Sequence, residues 1–172
     1  MNDEQDSVTT KLIELNKTSS NLVVILGSKY YKEDILKKIE PTLAQKGYTP
    51  IVAFEISENF EEHFTPRQRI FWFLSNSVFI IAEDSIPSGE MLELEYCKTL
   101  GATTIILHDK KLPRSSWMTL DIEIHSSNFR CFEYDIDNIE KTISDAISWA
   151  ISKNADKIKV FNEKHKDWEE KT

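Results

Sequence analysis

The apolar residues of this chain fall into short continuous runs, of which 22–26 (LVVIL) and 78–82 (VFIIA) are the clearest. A continuous run, as opposed to an alternating one, is typical of a strand that is covered on both faces, as in a parallel sheet. Three further stretches, at 50–54, 103–107 and 129–134, are also predicted to be strands.

Helical spacing occupies most of the segments between these runs. Apolar residues recur every four positions over 32–46, although a proline at 41 interrupts this helix. A threonine followed by proline predicts the start of a second helix, which reaches about residue 75. Two more helices are predicted over 90–100 and from 137 onward, whereas 109–121 is expected to be a loop with at most one helical turn.

Strands that alternate with helices in this way predict an α/β fold: a flavodoxin-like, doubly wound parallel sheet of five strands in the order 2-1-3-4-5, with a C-terminal helical extension. We divide the chain into a polar N-terminal segment (1–20), an α/β domain of the nucleotide-binding type (21–152) and a charged C-terminal helix (153–172). Ligands of such sheets bind at the carboxyl ends of the strands, here strands 1, 3 and 4.

The composition of the chain excludes several classes of function. Only four of the 172 residues are glycine, which excludes phosphate loops built from clustered glycines. The net charge of −8 argues against binding along a nucleic-acid backbone, which requires an excess of cations. The two cysteines and four histidines lack metal-ligand spacing, so we predict no metal and no cofactor. No apolar run approaches the ~18 residues of a membrane helix, so we expect a cytoplasmic protein that does not contact membranes.

The loops after strands 1 and 3 contain the candidate binding residues. Each residue type in these loops has a functional and a structural interpretation. A glycine at a strand end lets a ligand approach the backbone, or it only allows a turn. Serines bind a phosphate or ribose, or they cap a helix, and a tyrosine stacks on a base, or it covers the core. The candidates for substrate binding are Gly27, Ser28, Tyr30, Asp84, Ser85, Ser88 and Gly89.

Glu93 is the candidate catalytic residue. It falls in the first turn of the helix after strand 3, on a stripe shared with Cys97 and Leu100 at i+4 and i+7. Because that stripe is otherwise apolar, the carboxylate is expected to face the sheet edge. A carboxylate in this position can attack an electrophilic carbon or balance an oxocarbenium ion. The alternative is an ordinary acidic residue, which is favoured in a first helical turn.

The segment 89–97 (GEMLELEYC) resembles the G-x-x-x-E-L-G-x-A signature of the nucleoside 2-deoxyribosyltransferase-like superfamily, which includes the deoxynucleoside-monophosphate N-glycosidases. The Gly27-Ser28 strand end and the stretch SNSVFIIAED are also similar to that superfamily, and the resemblance covers about residues 20–150. It implies that Glu93 is the nucleophile, that Gly27 and Ser28 line the sugar or phosphate site, and that Ser116 reaches into the neighbouring subunit's site.

Three positions depart from the superfamily pattern. Arg69-Ile70 stands where an Asp is usual, Pro87 stands six residues before Glu93 where an Asp or Ser is usual, and Glu95 replaces the glycine. These departures admit the related TIR-domain fold, in which a Glu in the corresponding helix serves NAD cleavage.

We therefore predict cleavage or transfer of an N-glycosidic bond in a nucleoside, nucleotide or NAD-type substrate, by a homodimer. The alternative is a non-catalytic, TIR-like module for nucleotide binding or signalling. A third hypothesis is an assembly protein whose C-terminal helix meets a partner.

Overall fold

Five parallel strands form one sheet in the order β2-β1-β3-β4-β5, which confirms the predicted fold class and strand order. The computed structural model describes residues 21–27, 33–54, 56, 65–85, 91–113 and 117–169. The strands are β1 (Leu22–Leu26), β2 (Thr49–Val52), β3 (Phe79–Glu83), β4 (Thr104–Asp109) and β5 (Phe129–Tyr134).

Helices connect the strands and cover both faces of the sheet. They are α1 (Glu33–Gln45), α2 (Pro66–Asn76), α3 (Met91–Leu100), α4 (Trp117–His125) and α5 (Ile139–Glu169), the last preceded by a 3-10 turn, Ile136–Asn138. Helix α1 continues through Pro41. Within the described ranges, no helix combines the length and the apolar character that crossing a bilayer requires.

Two predicted boundaries were wrong. Residues 53–54, assigned to the second strand, are helical, and helix α4 occupies part of the stretch 109–121 that was expected to be loop. The sequence of α4 has a weak helical period, and Ile122, which is 1% exposed, belongs to the same hydrophobic core as Phe129 of β5. Tertiary packing therefore stabilises a helix that local pattern does not specify.

Each face of the sheet has its own hydrophobic core. On one face, Leu36 and Ile39 of α1 and Ile143 of α5 pack against the strands. On the other face, Phe73 of α2 and Leu94 of α3 do so, with α4 beside them. Since full burial of such a side chain contributes roughly 1.5–3 kcal/mol, these two layers supply most of the stability of the fold.

Two of the four glycines end helices, as predicted. Gly47 (φ 82°) and Gly101 (φ 64°) have the left-handed backbone that side chains rarely adopt. The residue after each one, Tyr48 or Ala102, donates its N–H to a carbonyl five residues earlier, at 3.1 Å and 2.9 Å. This is the Schellman motif, in which glycine terminates the helix and satisfies its last carbonyls.

Helix α5 is anchored at the amino ends of β3 and β4. The Asn154 amide donates to the carbonyl of Val78 (2.7 Å) and accepts from the Thr103 hydroxyl (2.6 Å). The Lys157 ammonium donates to the carbonyl of Gly101 (2.8 Å) and to Thr103 Oγ1 (2.7 Å). The helix runs without interruption through residue 153, where we placed the start of the C-terminal segment.

Candidate functional site

The candidate site lies where the connections from β1 and β3 diverge. β1 and β3 are neighbours, yet α1, which follows β1, packs on one face of the sheet, and α3, which follows β3, packs on the other. Divergence of this kind opens a crevice at the carboxyl ends of the two strands, which is where open α/β sheets bind ligands. Of the predicted site residues, Gly27, Asp84 and Ser85 come together at these strand ends.

Gly27 has a neighbour on the side where a Cβ would point. A Cβ built there would lie 3.0 Å from Leu36 Cδ2, 3.6 Å from Leu36 Cδ1 and 3.6 Å from the Glu83 Cβ. Its φ is not in the left-handed region. The absence of a side chain at Gly27 therefore lets helix α1 pack closely against the end of β1. Whether Gly27 also contacts a ligand stays a prediction.

Glu83, the last residue of β3, is a buried carboxylate that sequence reasoning missed. It is 3% exposed, and its Oε1 accepts hydrogen bonds from the hydroxyls of Tyr134 (2.7 Å) and Ser85. The Ser85 oxygen in turn accepts the backbone N–H of Asp109 at 2.7 Å. Glu83, Ser85 and Tyr134, which we call the strand-end network, thus join the carboxyl ends of β3, β4 and β5.

The chemistry of this network follows from its burial. Burial raises the pKa of the Tyr134 hydroxyl above its ordinary value, and the neighbouring Glu83 carboxylate raises it further, against an opposing effect of the Ser85 hydrogen bond. The tyrosine therefore stays protonated and donates to Glu83. Two donors on one carboxylate oxygen are what a buried acidic group requires, because an unpaired one is costly to desolvate.

Asp84 and His108 are buried on the other face of the same edge, at 6% and 1% exposure. The Asp84 N–H donates to the carbonyl of Leu107 (2.9 Å). The ring of His108 places Nδ1 3.3 Å from the carbonyl of Asp84 and Nε2 3.1 Å from that of Leu112. An imidazole with one N–H donates to one of these carbonyls, and an imidazolium donates to both. His108 therefore links the segment after β3 to the segment after β4.

Glu93 lies in the first turn of α3 and is half-buried. Its Oε2 is shielded from solvent, and among the described residues no group donates a hydrogen bond to it. Leu94 and Cys97 on this helix are buried, whereas Leu100 is 42% exposed. The predicted stripe therefore holds for Cys97 and fails for Leu100, because the end of α3 extends past the core.

Cys97 is a buried thiol one helical turn after Glu93 on α3. Burial, chiefly, raises the pKa of its thiol to about 12, and the nearby charge of Glu93 adds to the rise, while a side-chain hydrogen bond to Thr104 opposes it. One oxygen of the Glu93 carboxylate, Oε2, is therefore both shielded from solvent and close enough to the buried thiol to affect it. A carboxylate in a partly desolvated position interacts more strongly with a developing positive charge than one in water.

A cluster of charged residues lies beside the site, at the ends of β4 and β5. Asp135 accepts ion pairs from Lys110 (2.6 Å) and Lys111 (3.3 Å). These contacts, with the Lys110 hydrogen bond foremost, lower the pKa of the Asp135 carboxyl to about 2. In the described part of the chain, no three His, Cys, Asp or Glu side chains are grouped so as to hold a metal ion.

The other predicted site residues lie outside the described residues: Ser28, Tyr30, Ser88, Gly89 and Ser116. Sequence reasoning reached Glu93, Asp84 and Ser85 because they follow a buried strand. It missed Glu83 and Tyr134, because their pairing joins residues 51 positions apart in the chain. The signal that could have indicated Glu83 is its place directly after the apolar run 78–82, because an acidic residue buried there requires hydrogen-bond donors.

Comparison with known proteins shows likeness in fold. No family model and no curated protein matches the chain. Among solved structures, it is similar to the Clostridium botulinum CMP N-glycosidase BcmB, with a TM-score of 0.56 and 13% identity over 74% of this chain and 98% of that one. It also matches 17% of the Francisella novicida lysine decarboxylase LdcF, over 78% of this chain, with 20% identity and a TM-score of 0.48. At 13% identity, the likeness to the first shows a shared fold.

Proposed function

We propose that this protein cleaves an N-glycosidic bond in a nucleoside, nucleotide or NAD-type substrate, with Glu93 facing the anomeric carbon. The observation that carries the proposal is the half-buried carboxylate of Glu93, which has one oxygen shielded from solvent and lies in the first turn of the helix that follows β3. The fold shared with a CMP N-glycosidase supports this chemistry at the level of analogy.

The reaction would proceed through a sugar cation. The bond between the anomeric carbon and the base nitrogen breaks, and its electron pair leaves with the base. Glu93 stabilises the positive charge that develops on the sugar, or traps it by forming a bond to the anomeric carbon. Water then adds to that carbon and loses a proton. A base that leaves a nucleoside or nucleotide as an anion takes up a proton in exchange, whereas nicotinamide leaves NAD as a neutral molecule and the proton goes to solvent. If a second base adds through its nitrogen in place of water and loses its N–H proton, the reaction is a transfer.

Several features of the site support this assignment of Glu93. One oxygen of the carboxylate is shielded from water, so its attraction to a cation is less screened than at the surface. Glu93 also lies in the first turn of the helix that follows β3, beside the strand ends where open α/β sheets bind their ligands.

The direct test is to incubate the protein with NAD and with a panel of nucleosides and ribo- and deoxyribonucleoside monophosphates, including CMP and dCMP, and to measure free base by chromatography. Glu93→Gln is expected to lower the rate at least about a hundredfold, because it removes the charge that faces the cation. Glu95→Gln is the matched control, since this glutamate lies on the same helix and its side chain is 47% exposed.

The outcomes separate the hypotheses. Base release that survives in Glu93→Gln contradicts the role of the residue, and absence of base release from every substrate contradicts the enzymatic function. Thermal stabilisation by a nucleotide without base release supports the alternative, a non-catalytic nucleotide-binding module. A nucleotide present at a concentration of a hundred times its Kd would add about 2.7 kcal/mol to the free energy of unfolding.

A further inference from the structure

We propose that Glu83 and Tyr134 are positioning residues for Glu93: they fix, through Ser85, the point from which the chain leaves β3 and enters α3. This inference deepens the proposed function and rests on it. Neither residue is assigned to contact a substrate, since both are buried, at 3% and 0% exposure.

The argument begins with the hydrogen bonds of Ser85. Its hydroxyl hydrogen goes to Glu83 Oε1, and its oxygen accepts from the N–H of Asp109 at 2.7 Å. The Tyr134 hydroxyl lies 3.4 Å from the Ser85 oxygen and donates to the same carboxylate oxygen at 2.7 Å. The position of Ser85 is thus determined from the ends of three strands rather than from its own strand alone.

The location of Ser85 makes these bonds relevant to Glu93. Ser85 is 4% exposed and lies two residues beyond the end of β3, and helix α3 begins six residues later. Glu93 is the third residue of that helix. Because Ser85 and Glu93 belong to the same connection between β3 and α3, we expect a shift at Ser85 to reach the start of α3; a displacement of about 1 Å at a reacting group can cost about a hundredfold in rate.

The network is more specific than general packing requires. An apolar residue at position 83 would continue the apolar run of β3, and Tyr134 lies within the core that α1 and α5 cover. Burying a carboxylate there costs free energy unless donors meet it, and both hydroxyls do. Polar networks of this kind define one arrangement of their members, because any other arrangement leaves a buried group without its bond.

The neighbouring backbone is also held on the opposite face. The Asp84 N–H donates to Leu107, and His108 contacts the Asp84 carbonyl. These contacts do not involve the Glu83 carboxylate or the Tyr134 hydroxyl. Removing one hydroxyl is therefore expected to leave the fold in place and to shift Ser85, so that the effect appears in the reaction rather than in folding.

The test compares Tyr134→Phe and Glu83→Gln with Tyr48→Phe, which removes a hydroxyl from a half-buried tyrosine that packs edge-on against Phe79 at the amino end of the sheet. With the best nucleotide substrate, at a temperature where all variants are folded, we expect kcat to fall about 10- to 100-fold in the first two and KM to change less than about threefold. Tyr48→Phe is expected to change neither value.

Hydrogen exchange gives a second readout that requires no turnover. Exchange of the α3 amides is expected to quicken at least about tenfold in Tyr134→Phe and Glu83→Gln, while exchange of the β1 and β2 amides stays unchanged. The double variant is expected to lose no more activity than the more affected single variant, because both changes disable one network.

Any one of four results would overturn the proposal: kcat equal to that of the unmodified protein in both variants, unchanged exchange of the α3 amides, a uniform rise in exchange over all strands, or equal effects in Tyr48→Phe. If the unmodified protein turns over no substrate, the proposed function fails, and exchange of the α3 amides alone then decides whether the network positions this helix.

Discussion

The substitution Gly27→Ala tests whether this glycine serves packing or ligand approach. The added Cβ would lie 3.0 Å from Leu36 Cδ2, which is closer than carbon atoms normally approach, and Leu36 is 2% exposed. Because the φ of Gly27 is not left-handed, alanine introduces no backbone strain. Steric crowding against a single buried methyl group is therefore the main perturbation in the folded state.

The magnitude follows from two opposing effects. Overpacking a core typically costs about 1–3 kcal/mol, and replacing glycine by alanine recovers about 0.4–1 kcal/mol by restricting the unfolded chain. We expect a net loss of about 0.5–2 kcal/mol in the free energy of unfolding. For a chain of this length, that corresponds to a fall in Tm of roughly 1–8 °C.

The assay is urea unfolding at 25 °C, followed by circular dichroism, as a double-mutant cycle with Leu36→Val. Valine lacks both δ carbons, so the contact at 3.0 Å disappears. In the Leu36→Val background, Gly27→Ala is expected to be neutral or stabilising, which gives a coupling energy of about 1–3 kcal/mol.

Two results would refute the packing argument. One is an equal loss of stability in both backgrounds, which would place the cost elsewhere than at Leu36. The other is unchanged stability in Gly27→Ala together with weaker nucleotide binding, which would instead support the role in ligand approach that the sequence suggests.

Two further predictions follow from the pKa values. Burial raises the pKa of Cys97 to about 12, whereas Cys131 is only half-buried. A disulfide reagent at pH 8 should therefore modify Cys131 quickly and Cys97 only after unfolding. Rapid modification of Cys97 in the folded protein would contradict this expectation. The lowered pKa of Asp135, about 2 against an ordinary 3.8, stabilises the fold at pH values above 3.8, and this contribution is lost as the pH falls toward 2. The stability difference from Asp135→Asn should therefore shrink between pH 5 and pH 2 in urea titrations, and an equal difference at both pH values would show that the ion pairs with Lys110 and Lys111 contribute nothing.

Most of the secondary structure could be predicted because it depends on local pattern. Apolar runs such as 22–26 are interpretable as strands buried on both faces, and helix ends at Gly47 and Gly101 depend on a backbone angle that glycine adopts easily. Helix α4 could not be predicted, since its stability comes from Ile122 packing against another element. The strand order followed from the alternation of strands and helices and from the limited ways in which such units connect.

The candidate site was predictable in part. The position of Glu93 after a buried strand and a polar loop places it near the functional edge of any sheet of this kind. The pairing of Glu83 with Tyr134 was not predictable, because 51 residues separate them and only the adjacent placement of β3, β4 and β5 brings them within 2.7 Å.

The sequence by itself determined the fold class, the strand order and the edge of the sheet at which chemistry is expected, because apolar periodicity and chain connectivity are properties of the chain. The tertiary structure alone decided which polar groups at that edge are bonded to one another. It joined Ser85 to a buried carboxylate and placed Leu36 against Gly27. The physical reason is that burial, which sets the cost of every unpaired polar group and every added methyl, depends on residues that are distant in the chain.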